Sequence, residues 1–140
     1  MPCMTKKNLV LVSFLALALS PACGKPSTAP SDLLGGVWKI RSIETAAGSV
    51  IGVTNTAGYT LAFGDGGKLG ARADCNQCSG TYSITGDSLT IGPLACTKAF
   101  CGSSSYDVLY LDILSHATTF GVQGIELTID SPKGAVRMNR

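Results

Sequence analysis

Four cysteines in two close pairs, Cys75/Cys78 and Cys96/Cys101, flank one short hairpin sequence, and their chemistry decides how so small a chain is held together. Without context they resemble a zinc ribbon, in which four thiolates close a tetrahedral site, although the second spacing is longer than the usual two intervening residues. A redox-active pair is a weaker alternative. Cys75-Asn76-Gln77-Cys78 does not open a predicted helix, and helix N-terminal placement is what lowers a thiol pKa in such motifs. The deciding factor is the compartment in which the thiols reside.

That compartment is written into the first residues. Lys6 and Lys7 precede an apolar run from Leu9 to Leu19 broken only by Ser13, and small residues follow as far as Ala22. The run is too short to span a bilayer and has the length of a signal-peptide core, so residues 1–22 are assigned to export. Met4 offers a second start that would exclude Cys3. Ala22-Cys23-Gly24 resembles the bacterial lipobox, in which the cysteine is acylated and becomes the new N-terminus. Ser20 and Pro21 depart from that pattern. Acyl chains contribute roughly 0.8 kcal/mol per buried methylene, so a multiply acylated Cys23 would hold the protein on a membrane. The alternative is an ordinary cleaved signal with Cys23 as a free thiol. Gly24, not Asp, follows the cysteine, which by resemblance to bacterial sorting rules points towards the outer membrane. The expected location is therefore the cell envelope, as an outer-membrane lipoprotein facing the periplasm. There disulfides form and persist, and Cys75, Cys78, Cys96 and Cys101 are expected to be oxidised rather than metal-bound.

Residues 23–32 read as lipid anchor and linker. Lys25 to Asp32 contains two prolines and no large apolar side chain, a composition that stays extended. Residues 1–22 carry no charged side chain besides Lys6 and Lys7, so their removal takes the formal net charge from +2 to 0. A neutral domain with scattered Lys and Arg has no electrostatic footprint for nucleic acid. Residues 33–140 suffice for one hydrophobic core and not for two.

Within them the pattern is short strands and turns. Val37–Ile43 alternates, with Trp38 and Ile40 on one face, and Tyr59–Phe63 places Tyr59, Leu61 and Phe63 together. Gly64-Asp65-Gly66-Gly67 is a hairpin turn leading into Lys68–Asp74, because its residues accept positive φ at little cost. Thr85-Gly86-Asp87 joins Thr81–Ile84 to Ser88–Ile91. Val50–Val53 is a candidate extra strand, and Thr118–Val122, Ile125–Ile129 and Ala135–Met138 are three more. One segment changes period: Tyr106, Leu109, Tyr110, Ile113 and Leu114 form a helical stripe within Ser103–His116, with Ser103, Ser104 or Ser105 available as a cap. The expected fold is mainly β with one helix (α+β), an antiparallel barrel-like sheet of seven or eight strands. The helix plugs an end of the curved sheet or packs on one face.

Register bears on the cysteine connectivity. If the hairpin is centred on Gly86-Asp87, Cys78 faces Ala95, next to Cys96, and Cys75 faces Lys98, short of Cys101. Nested bonds Cys78–Cys96 and Cys75–Cys101 fit this better than the other two pairings, provided the outer part of the ladder loosens or bulges.

Several of these residues occur in an order that resembles the META/HslJ family of small bacterial lipoproteins and heat-shock-linked envelope proteins. Trp38 lies on the tryptophan strand, and Phe63 with Gly66, Gly67 and Gly70 matches the next hairpin. Asp74-Cys75-Asn76, Gly80-Thr81-Tyr82, Leu89-Thr90-Ile91 and Cys96-Thr97 with Cys101 follow in turn. Cys78 and Cys96 occupy positions where the family more often has other residues, so this chain is doubly bridged where many relatives have one pair. The resemblance implies a barrel-like β fold with a helix, an envelope location and no established catalytic residue. Relatives have heat-shock and drug-tolerance associations. The matched residues have plain physical uses: Asn76 to adopt left-handed geometry or tie a loop, Gly80 for a bulge or close approach, Tyr82 at the core edge, and Thr97 to bond back towards Asn76.

No enzyme signature competes with this reading. His116 is the single histidine and falls at the predicted helix end, where an imidazolium favours the helix dipole. A serine triad with Asp74 or Asp112 can be drawn, but no nucleophile elbow accompanies it. The chain reads as a non-catalytic envelope module without cofactor or metal, which binds an envelope protein or a small apolar ligand and supports envelope stress tolerance or integrity. The competing classes are a protease-inhibitor-like protein, an assembly chaperone and an uncharacterised hydrolase.

Overall fold

A computed structural model describes residues 29–140. The expected signal segment, Cys23 and the expected linker as far as residue 28 lie outside the described residues.

Eight strands close into an antiparallel barrel. β1 (Trp38–Thr45) is followed by a short β2 (Val50–Gly52), then β3 (Tyr59–Phe63), β4 (Lys68–Ala73), β5 (Asn76–Thr85), β6 (Ser88–Ile91) and a two-residue β7 (Ala95–Cys96). After α1 (Asp107–Ser115) come β8 (Thr119–Gln123), β9 (Glu126–Ser131) and β10 (Gly134–Asn139). Around the ring the order is β10-β9-β8-β6-β5-β4-β3-β1, and β1 pairs back onto β10 from Lys39↔Asn139 to Thr45↔Gly134. The ring is thinnest between β6 and β8, which pair only at Ser88↔Thr119. β2 flanks β1 beyond the stretch that pairs with β3, and β7 flanks β5 beyond the stretch that pairs with β6.

The alternation read from sequence is the alternation that fills the barrel. Tyr59, Leu61 and Phe63 face inward from β3; Leu69, Ala71 and Ala73 from β4; Leu127 and Ile129 from β9. In β1 the register against β10 shifts between Ile40 and Ser42, so the bulge at Arg41 turns Ile43 rather than Ser42 to the core. At the far end of that pair Gly134 has φ +135 and lies so close to the Glu44 carbonyl that a Cβ would overlap it.

The helix covers an opening of the barrel. It touches β4 and β6 as well as β9 and β10, and β4 and β9 are diametrically opposed in the ring of eight. Tyr110, Ile113 and Leu114 have no exposure, and the Tyr110 ring meets Tyr59 edge-on at 5.5 Å. Burial raises the Tyr110 phenol well above its ordinary pKa, and its hydroxyl donates to the Thr60 carbonyl at 3.0 Å. The helix begins later than Ser103, because Ser103 and Ser104 form a turn. Ser105 then accepts the Asp107 N–H on its hydroxyl at 3.2 Å.

Candidate functional site: a stapled arch beside the β4–β5 hairpin

β4 and β5 are joined by the tight turn Asp74-Cys75, with Ala73 opposite Asn76. Asp74 carries the left-handed conformation (φ +57), the only non-glycine among the described residues to do so. Asn76 therefore serves the other role open to it and ties a loop. β5 starts at Asn76, earlier than the pattern at Thr81 suggests, so Cys75 sits at the hairpin tip and Cys78 on the strand.

The cysteines are bonded in nested pairs, Cys75–Cys101 and Cys78–Cys96. Four-thiolate metal binding is thereby closed off, since each sulfur is already bonded. Near the β5–β6 turn the ladder follows the Gly86-Asp87 register, with Tyr82 opposite Ile91 and Ile84 opposite Leu89. Beyond Gly92 it slips by one residue, placing Cys96 rather than Ala95 directly opposite Cys78. The slip occurs beside Gly80, where a Cβ would stand 2.9 Å from both the Pro93 carbonyl oxygen and a Leu94 methyl. A glycine at this point lets the 92–94 segment bulge against β5.

Between Cys96 and Cys101 the chain forms an arch, Thr97–Phe100, that runs without helix, turn or bend. Asn76 is the one buried polar residue among the described residues, at 4% exposure, and its amide fastens the arch from within. Its Nδ2 donates to the Ala99 carbonyl at 3.0 Å and its Oδ1 accepts the Ala99 N–H at 2.8 Å. The Thr97 hydroxyl donates to the same Oδ1 at 3.1 Å and accepts the Gln77 N–H at 3.0 Å. Gln77 in turn accepts the Thr97 N–H at 3.0 Å. A buried amide with both ends satisfied costs little and fixes geometry. On the outer side Lys98 and Phe100 face solvent, Phe100 with 88% of its surface exposed.

The other matched residues lie apart from the arch. Tyr82 packs edge-on against Phe63 at 4.9 Å and donates its hydroxyl to the Gly64 carbonyl at 2.8 Å. Trp38 is fully buried, donates Nε1–H to the Leu33 carbonyl at 3.1 Å and lies 4.9 Å beneath the Arg140 guanidinium. Arg140 also donates to the Asp32 carbonyl at 2.9 Å, so this corner ties the segment before β1 to the residue that follows β10. His116 caps α1 and pairs with Asp112 of its own helix at 3.2 Å, but no serine hydroxyl bonds to it among the described residues. Asp74 faces the Tyr59 hydroxyl at 3.4 Å instead. Among the described residues no group of three or more His, Cys, Asp or Glu is placed to hold a metal ion.

The META domain model matches residues 31–139, which takes in the barrel, the helix and the arch. The chain belongs to the META domain family. Solved structures share this META fold at low identity. A protein from Burkholderia xenovorans, determined by NMR, is 19% identical with a TM-score of 0.64, the match covering 87% of this chain and 98% of that one. A DUF4847-family protein from Bacteroides vulgatus ATCC 8482 is 13% identical with a TM-score of 0.57, covering 76% and 93%. No curated protein matches the chain.

Sequence reasoning identified Asn76, Thr97 and the cysteines, and missed Phe100 and the arch. The available signal was an aromatic residue set directly before a bridging cysteine in a stretch with no strand alternation.

Proposed function

We propose that this META domain is a non-catalytic binding module of the cell envelope, held on a membrane through Cys23, that engages another protein through the Thr97–Phe100 arch. The observation that carries the reading is Phe100, exposed at 88% on a segment clamped by two disulfides and a buried amide. Aromatic side chains are the commonest anchors of protein interfaces, and a loop already rigid loses little entropy when it docks. A small apolar ligand is less favoured, because Trp38, Ile40, Leu61, Leu127, Ile129 and Met138 fill the space such a ligand would occupy. The envelope location rests on the export segment and on Cys23-Gly24, and the oxidised cysteines are consistent with it.

The test is photo-crosslinking in the native envelope, with a photoreactive residue placed at position 100 and, as a control, at Ile125 in the β8–β9 turn. A discrete protein adduct from position 100 and none from 125 is the expected result. Equal labelling from both positions overturns the reading. Palmitate labelling of the wild type, lost in Cys23→Ser, tests the anchor separately.

A further inference from the structure

We propose that the arch is an inhibitory loop for a serine protease whose specificity pocket accepts an aromatic side chain, with Phe100 filling that pocket. The inference deepens the protein-binding reading above and rests on it.

The first support is backbone orientation. In an extended chain the N–H and C=O of one residue point to one side and those of its neighbours to the other. Ala99 directs both groups inward to the Asn76 amide, and Thr97 directs its N–H inward to the Gln77 carbonyl. Those of Lys98 and Phe100 consequently point outward, and neither residue makes a backbone hydrogen bond among the described residues. A protease cleft binds its substrate as an added strand, pairing with the main chain of alternate residues while a pocket takes a side chain. Phe100 and Lys98 offer that alternate pair, and Ala99 between them is held from behind.

The second support is what surrounds the Phe100–Cys101 peptide bond. Hydrolysis there would add one water and leave a Phe100 carboxylate and a Cys101 ammonium. Neither new end could leave. Cys101 would remain bonded to Cys75, while Phe100 would stay tethered through Ala99, held by Asn76, and through Cys96, bonded to Cys78. An ordinary substrate loop separates after cleavage, whereas this one keeps its ends in place to be rejoined.

The experiment uses the oxidised full chain and follows chymotrypsin and trypsin with chromogenic substrates. The expected result is saturable inhibition of chymotrypsin that weakens by about 100-fold or more in Phe100→Ala, the scale of an interface anchor, and passes to trypsin in Phe100→Lys. Because Phe100 is exposed, both variants should keep the wild-type fold, checked by the fluorescence of buried Trp38. Absence of inhibition, inhibition unchanged in Phe100→Ala, or rapid consumption of the arch as a plain substrate each overturns the proposal. If chymotrypsin is untouched while crosslinking from position 100 still yields a discrete adduct, the protease assignment fails and the protein-binding reading stands. If position 100 yields no adduct, the binding reading fails as well.

Discussion

The side chain of Asn76 and the backbone of Ala99 form a two-way pair, N–H to Oδ1 at 2.8 Å and Nδ2–H to the carbonyl at 3.0 Å. In the strands the main chain pairs with main chain; here a buried amide stands in for a strand that the arch lacks. Asn76→Ala would strip both partners and also leave the Thr97 hydroxyl without its acceptor. A net cost of about 2–4 kcal/mol is expected, from hydrogen bonds worth roughly 1 kcal/mol each plus the groups left unpaired. Urea unfolding measures the cost. Amide exchange gives the local signature, with protection of Ala99 lost before that of β3 or β9. Unchanged exchange at Ala99 would contradict the pairing.

The two disulfides should differ in accessibility. Cys75 is exposed at the hairpin tip, whereas Cys78 is buried at 7% exposure, so mild reductant should open Cys75–Cys101 first. Their stabilities also interact. The inner bond spans 18 residues, and its loss as Cys78→Ala/Cys96→Ala should cost about 2 kcal/mol in the chain-entropy picture, because the outer bond still closes its 26-residue loop. With the inner bond intact, the outer one closes only the short path through residues 76–78 and 96–100, so its 26-residue separation overstates its effect. Removing the outer pair alone should cost about 2.5 kcal/mol. Timed alkylation with mass mapping checks the order of opening, and paired unfolding curves check the costs.

Gly80 admits a direct test of the bulge. A Cβ there would meet the Pro93 carbonyl oxygen at 2.9 Å, and a backbone oxygen cannot rotate away as a side chain can. Gly80→Ala should destabilise by about 1–3 kcal/mol, the range of overpacking. It should also weaken the pairing of β5 with β7 while sparing β8–β10. Gly70, where nothing lies within 4 Å of a built Cβ, is the matched control and should tolerate alanine far better.

What could be read from the sequence follows the range of the interactions. The hairpin around Gly86-Asp87, the strands on either side of it and the Tyr106–Leu114 stripe are set by neighbours in the chain, and they were legible. Contacts between distant segments were not. Pairing of β1 with β10 closes the barrel, yet nothing in Trp38–Thr45 names its partner at the other end of the chain. The one-residue slip beyond Gly92 depends on the bulge against Gly80, so the register was readable near the turn and shifted by a residue at Cys96. Val50–Val53 was visible as a possible strand, while β7 is too short to carry a period. Asn76 and Thr97 showed as motif residues, but the arch they hold becomes visible only when both disulfides are in place.

Tyr110 supplies a pH dependence with a defined sign. Its folded pKa is raised, because ionisation would bury a charge at a fully buried site, while the unfolded value stays near 10. Below that pH the phenol is protonated in both states and its contribution is fully present. Above it the unfolded chain releases the proton and the folded one retains it, so stability falls by up to about 1.4 kcal/mol per pH unit from this group. Tyr110→Phe should remove that slope. It also deletes the bond to the Thr60 carbonyl, so the variant should be less stable by about 1 kcal/mol at neutral pH and lose its disadvantage as pH rises above 10. Unfolding free energies of both proteins at pH 8 and pH 11 decide the matter. Parallel losses in the two would show that Tyr110 ionises without unfolding and that helix α1 does not seal the barrel mouth from water.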